Sequence, residues 1–227
     1  ADVCDKGVGA ALFMALFRTL IRSGAQQHTS LGWMNTGSVT DNSDWLKRDP
    51  SERRQSLPSI GTGSLINAVS GTNDYIAENH AEQGYFATMF MGILDHSNGA
   101  LLYINGGHNP PILKRADGSE EHLPATGPAV GLFPGANFRI EQVRMKPGDV
   151  LFTYTDGVPD ARSPSSEFYG MERVEAVLDQ PIVSAASLVA EVQQSLHNHI
   201  DTAAQYDDIT MLAVRRMTQE ETAADAT

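Results

Sequence analysis

Apolar and polar positions follow two different periods along this chain, and each change of period marks an element. From Val8 to about Arg22 strong helix formers run almost unbroken, with Ala10, Ala11, Leu12, Met14, Ala15 and Leu16 apolar nearly all round until Arg18. That pattern predicts a central, buried helix. Between Gly32 and Gly63 the chain turns to Asn, Ser, Asp, Pro and charge, with Trp33 and Trp45 as isolated apolar anchors. It reads as a long surface insertion, 32–63. Leu65, Ile66, Val69 and Ile76 restore helical spacing up to about His80. From Phe86 the period shortens to that of strands. Ala87 to Leu94 and Leu101 to Ile104 flank Asn98-Gly99, the strongest hairpin signal in the chain.

Gly106 to Pro111 is a tight, stiff turn, and a second short hairpin joins Ile112-Leu113 to Glu121-His122-Leu123 about Asp117-Gly118. Phe138 to Met145 predicts a strand that Pro147-Gly148-Asp149 turns into the β-branched and aromatic run from Val150. Helices follow at about Met171 to Leu178 and Ala185 to His199; in the second, Leu188, Val192 and Leu196 repeat every fourth residue. Ile209 to Val214 closes as a strand, and the acidic residues 218–227, without a core pattern, read as a disordered tail. Helices come in pairs around runs of hairpin-linked strands, with no β-α-β alternation. The fold expected is α+β with antiparallel sheets, in one domain over 1–217.

Composition narrows the function classes. With 16 basic and 28 acidic residues the net charge is −12, which argues against a nucleic-acid surface. The longest apolar run, Val8 to Phe17, falls short of a membrane span, and the first residues lack the charged start of a signal peptide. One cysteine, Cys4, forms no internal disulfide and fits a reducing compartment, so a cytoplasmic protein without membrane contact by this domain is expected.

The sequence contains no GxSxG elbow, P-loop, CxxC or paired His at zinc-ligand spacing. What remains are acidic residues at element ends, far apart in sequence: Asp2, Asp156 and Asp207. Asp156 follows the strand from Val150, and Gly157 lets the backbone turn close to a ligand, although Asp-Gly is also a common turn. Hard carboxylate oxygens select Mg²⁺ or Mn²⁺, and two such ions can drive phosphoryl transfer with little covalent help from the protein. Spacing alone does not establish that the three aspartates converge.

Five motifs in order resemble the bacterial SpoIIE-type (RsbU-like) serine/threonine phosphatases, a branch of the metal-dependent type 2C superfamily. Asp2 to Val8 with Ala10 to Met14 resembles the DVSGKGxxAALxM loop and helix, and Phe86 to Phe90 the FATxF strand. Asn105 to Pro111 is similar to NAGHNPP, Thr155 to Val158 to TDGVTE, and Asp207 to Thr210 to DDIT. The resemblance implies two antiparallel sheets packed face to face between layers of helices. It implies that Asp2 bridges two Mn²⁺ or Mg²⁺ ions, that the Val3 carbonyl is a further ligand, and that Asp156 and Asp207 complete one shell, with Asp208 beside them. It implies hydrolysis of phosphoserine or phosphothreonine by metal-activated water. The partners implied are a phosphorylated STAS-domain anti-sigma-factor antagonist, an upstream sensor domain and a possible second copy.

The chain departs from the family pattern at Cys4, where the family has Ser, and at Asp5, where it has Gly. The family's upstream strands and GGD-type acidic segment are expected ahead of Ala1, so the sequence reads as N-terminally incomplete. That leaves open a catalytically weak or inactive regulatory module on the same fold. Among single residues, His108 reads as a loop brace more than a proton donor. Cys4, with Asp2 and Asp5 nearby, reads as a packing residue. Lys6 steers phosphate or pairs with Asp5. Arg162 could hold phosphate through its planar fork, but a surface salt bridge is the commoner use of such a residue.

Overall fold

The computed structural model describes residues 1–32, 59–218 and Glu221. Two four-stranded antiparallel sheets stack at its centre, and a helix pair covers each outer face. The first sheet has the order β1-β2-β3-β6: β1 is Asp2–Val3, β2 Ala87–Leu94, β3 Ala100–Gly106 and β6 Glu141–Arg144. The second has the order β5-β4-β7-β8: β4 is Ile112–Lys114, β5 Glu120–His122, β7 Val150–Tyr154 and β8 Met211–Arg215.

Alternation along each strand sends side chains to two different cores. Leu101, Tyr103, Val143 and Met145 of the first sheet meet Leu113, Leu123 and Leu151 of the second in the seam between them. On the outside of the first sheet, Met89, Leu102 and Ile104 pack against Phe13 and Phe17 of α1 (Val8–Gly32) and Leu65, Val69 and Ile76 of α2 (Ser59–Asn79). Outside the second sheet, Ile112, Val150, Phe152 and Tyr154 pack against α3 (Met171–Leu178) and α4 (Ala185–Ile200). The fourfold repeat in α4 is its buried stripe, since Leu188, Val192 and Leu196 all lie inside. Ser184 caps that helix by accepting from the Ser187 N–H while Ser187 Oγ accepts from the Ser184 N–H.

The Asn98-Gly99 signal is the β2–β3 hairpin, where Gly99 takes φ 78. A Cβ there would overlap the Arg216 guanidinium and the Met145 carbonyl. Arg216 uses that space: its Nη1 donates to Asn98 O at 2.8 Å and Met145 O at 2.7 Å. The residue after β8 of the second sheet is thereby bonded to the hairpin and to the end of β6 in the first.

Several expectations change. The first helix runs to Gly32, ten residues beyond Arg22, and it is not buried all round. Phe13 and Phe17 face the core while Val8 is 79% and Leu12 68% exposed, because only one side of the helix meets a sheet. Over Val8–Gln26 it is long and apolar enough to cross a membrane, which the shorter run ending at Phe17 had not suggested; in this fold it lies on α2 and the first sheet. The second helix begins at Ser59, inside the expected insertion, and residues 33–58 lie outside the described part. β6 is confined to Glu141–Arg144 within the longer strand expected from Phe138. Of the expected tail, Thr218 and Glu221 are described: Glu221 makes a two-pronged pair with Arg215 at 2.9 Å on each arm.

Candidate active site

Three strand ends carry the acidic residues to one end of the sandwich. β1 pairs with the start of β2, setting Asp2 opposite Thr88 and Val3 opposite Ala87. β7 ends at Tyr154, and Asp156 follows it by two residues. β8 begins at Met211 beside Tyr154, and Asp207 lies four residues ahead of it. The two aspartates on the second sheet are joined by a dense junction. Thr155 N–H donates to Thr210 O at 3.0 Å, Thr155 Oγ1 donates to Asp208 O at 2.9 Å and accepts from Thr210 N–H at 3.0 Å. Gly157 packs directly on the same carbonyl, with which any Cβ would overlap. The Gly of the Asp-Gly pair is thus required by close approach of two backbones, as its position at a strand mouth suggests.

Asp2, Asp156 and Asp207 interact across the seam. The Asp2 carboxyl is pushed up to about 6, first by burial, then by the charge and hydrogen bond of Asp156 and the charge of Asp207. Asp160, which the sequence reading passed over, belongs to the same group: burial and the charges of Asp156 and Asp207 raise it, and Arg162 opposes them. Its signal was an acid four residues past Asp156, where the TDGVTE motif also carries one. The Asp160 N–H donates to Asp156 O at 2.9 Å, so one turn delivers both carboxylates.

Asp208 contributes its backbone carbonyl to the junction, and its own N–H donates to Asp207 Oδ1 at 2.8 Å. Asp5 holds a left-handed conformation at φ 71 where the resembling motif has Gly. Its carboxylate accepts from the Lys6 N–H at 2.8 Å, a local bond that helps Asp tolerate this region. Lys6 Nζ reaches past Asp5 to Asp207, at 3.2 Å, and donates to Tyr206 O at 2.8 Å. Cys4 is a half-buried packing residue whose Sγ accepts from Phe86 N–H at 3.1 Å.

His108 braces its loop, as expected. Its N–H donates to Asn105 Oδ1 at 2.8 Å and its Nδ1 lies 2.8 Å from Thr88 Oγ1, directly behind Asp2 in the sheet. Burial pulls the ring down to about 4, which keeps it neutral near neutral pH. Arg162 makes no ion pair among the described residues, so the surface salt bridge expected for it is not found. It lies against two rings, with its guanidinium carbon 4.0 Å from the centre of Tyr206 and 4.8 Å from that of Phe168.

Elsewhere, Glu120 and His122 on β5 and Glu175 on α3 bring ligand atoms within 4.8 Å of one another. Glu120 is already paired with Lys114 Nζ at 2.9 Å, and this cluster lies on a different edge of the second sheet from the aspartates.

Comparison with known proteins agrees with the architecture. The profile of the Stage II sporulation protein E (SpoIIE) family matches residues 1–217. Protein IcfG of Synechocystis is 42% identical over 219 residues, covering 95% of this chain and 33% of that protein. Phosphoserine phosphatase RsbP of Bacillus subtilis is 26% identical over 73% of this chain and 40% of its own length. The chain therefore spans well under half of either relative. Among solved structures, the SiaA-PP2C domain of Pseudomonas aeruginosa superposes with a TM-score of 0.68 over 94% of this chain and 72% of its own, at 16% identity. The RsbU and RsbW domains of a Mycobacterium tuberculosis protein superpose with a TM-score of 0.59 over 96% of this chain and 51% of theirs, at 22% identity.

Proposed function

The chain belongs to the Stage II sporulation protein E family, and from that premise we propose that it is a metal-dependent phosphatase acting on phosphoserine or phosphothreonine of a regulatory protein. Asp2, Asp156 and Asp207, with the Val3 carbonyl, are the groups that would hold Mn²⁺ or Mg²⁺. One observation carries this reading: carboxylates from three separate strand ends interact at one end of the sandwich, and burial and mutual repulsion push Asp2 up to about 6. An all-oxygen, multiply anionic donor set of this kind fits a hard divalent cation, whose charge would relieve that repulsion. Such ions would lower the pKa of a bound water and offset charge on the phosphoryl group.

The chain's own residues do the positioning. Thr155 and Gly157 hold the Asp156 turn against the Asp207-Asp208 segment, so the two carboxylates keep a constant relation. Lys6 neutralises one oxygen of Asp207 and ties the loop after β1 to the segment before β8. Asp160 adds negative potential on the Asp156 side.

The regulatory substrate is a STAS-type phosphoprotein in this proposal; the relative named phosphoserine phosphatase RsbP supports phosphoserine as the group attacked. In this proposal the domain is residues 1–217 and acts in the cytoplasm under the control of an upstream sensor domain. The test is hydrolysis of a phosphoserine protein substrate with Mn²⁺, with chelator, and by Asp156→Asn. Chelation and the substitution should each remove activity by roughly 100-fold or more, in step with lost manganese binding. A variant as fast as the parent would exclude the mechanism.

A further inference from the structure

Two cations flank the acidic group, and they are used differently. Lys6 is committed: Nζ is paired with Asp207 and the Tyr206 carbonyl, and lies 5.3 Å from the centre of the Tyr206 ring. Arg162 is held by the same tyrosine, 4.0 Å from its centre, and by Phe168 at 4.8 Å, yet none of its nitrogens has a hydrogen-bonding or ionic partner among the described residues. Its Nε is fully buried without a partner. The Nε atoms of Arg144 and Arg215 are also buried without a partner, so what sets Arg162 apart is its place beside the acidic group.

Local structure explains how the side chain is held. Arg162 and Phe168 face each other in an antiparallel bridge that closes the loop after Asp160. Ser163 N–H donates to Glu167 O at 2.9 Å and Tyr169 N–H to Ala161 O at 2.8 Å, so the loop is fastened on both sides of that bridge. Tyr206 comes from the segment before β8 and immediately precedes Asp207. The guanidinium is therefore anchored through ring contacts to both segments that carry acidic residues of the second sheet. Ring contacts occupy the face of the cation and leave its edge of N–H donors for a planar, two-pronged acceptor.

We propose that Arg162 is the phosphoryl-binding residue of this site, presenting the edge of its guanidinium to non-bridging oxygens of the substrate phosphate. The inference rests on the phosphatase reading above. In a strongly acidic neighbourhood, a cation with no ion pair among the described residues offers a dianionic substrate an attractive side chain, while Lys6 stays with Asp207 and only the charge of Asp160 is felt by Arg162. Phe168 and Tyr206 fix the plane in advance, so little side-chain freedom is lost on binding.

The experiment measures kcat and KM on a phosphoserine protein, inhibition by inorganic phosphate, and manganese binding, for the full chain and for Arg162→Ala, Arg162→Lys and Phe168→Leu. Arg162→Ala should raise KM and weaken phosphate inhibition together, by roughly 10- to 100-fold, the range for losing charge-assisted hydrogen bonds. Manganese affinity and thermal midpoint should stay near those of the parent. Arg162→Lys keeps the charge without the fork and should fall between, and Phe168→Leu should show a smaller loss of the same kind. Unchanged KM and phosphate inhibition in Arg162→Ala would overturn the assignment while leaving the phosphatase reading intact. A loss that appears only as weaker manganese binding or a lower thermal midpoint would overturn it too, showing Arg162 to be structural. A parent chain that hydrolyses no phosphoserine substrate would remove the phosphatase reading and this inference with it.

Discussion

The two halves of the sandwich hold their share of the acidic site in different ways. On the second sheet, Asp156 and Asp207 sit on neighbouring segments joined by three hydrogen bonds through Thr155. Behind them α4 buries Leu188, Val192 and Leu196 fully. On the first sheet, Asp2 stands on a strand of two residues, held by pairing with Thr88 and Ala87. The helix that follows leaves Val8 and Leu12 facing outward. One half is a stiff platform carrying two carboxylates; the other carries its carboxylate on a short strand held by β2, by the Cys4–Phe86 bonds and by Lys6. Local stability differs where burial and hydrogen bonding differ, so the platform should open least and the Asp2 side most.

The largest effect should come from the helices. Leu188→Ala in α4 should cost about 2–5 kcal/mol, while Leu12→Ala in α1 should stay within about 0.5 kcal/mol, both read from chemical denaturation. Similar losses at the two positions would erase the contrast.

Thr155→Val sharpens it at the site itself. The hydroxyl serves Asp208 O and Thr210 N–H at once, and Thr155 is only 3% exposed. Valine keeps the shape and strands both groups, so a loss of about 1–3 kcal/mol is expected, with weaker manganese binding. Unchanged denaturation and metal affinity would show that the platform does not depend on this side chain.

The last test concerns pH and the first sheet. His108 titrates at 6.5 when unfolded, but burial lowers it to about 4 in the fold. Between these values the unfolded chain binds the extra proton, so the His108 contribution to stability falls as pH drops from about 6.5 to about 4 and levels off below, while Asp2, raised to about 6 in the fold, contributes the opposite slope. Above 6.5 the ring is neutral in both states and contributes no slope. His108→Asn retains a polar group near Thr88 without the titration and should remove the His108 contribution, raising acid stability relative to the parent. Melting curves of metal-free protein across this range read it, and an unaltered slope would mean that His108 is not the group responsible.

Much of this arrangement was legible in the sequence because it depends on local period. The Asn98-Gly99 hairpin, the strand ending at Tyr154 and the fourfold stripe of α4 each follow from neighbours within a few residues. The placement of three aspartates at one end came from motif order. What local pattern could not carry was pairing between distant strands, such as β3 with β6 and β4 with β7, which sets two sheets in place of one. Nor could composition tell that α1 has a dry side and a wet side, since Leu12 and Phe13 are equally apolar and only the sheet decides between them. Arg162 was readable as a cation but not as a ring-held one, because Tyr206 lies 44 positions further along the chain.

The Arg216 contact at the opposite end of the molecule bears on this division. The seam between the sheets is filled by side chains such as Tyr103, Leu113, Met145 and Leu151, whose attraction is non-directional and resists separation more than sliding. Arg216, through Asn98 and Met145, and Arg115, through Arg144 O, supply directional bonds that oppose slip. In mechanical terms the stacked sheets form a shear joint pinned at the hairpin end and tied again by Lys6 at the acidic end. The offset between Asp2 and the Asp156–Asp207 pair is then governed partly by a pin at the far end of the strands, and a strain applied at that hairpin would be felt as a change of spacing among the carboxylates.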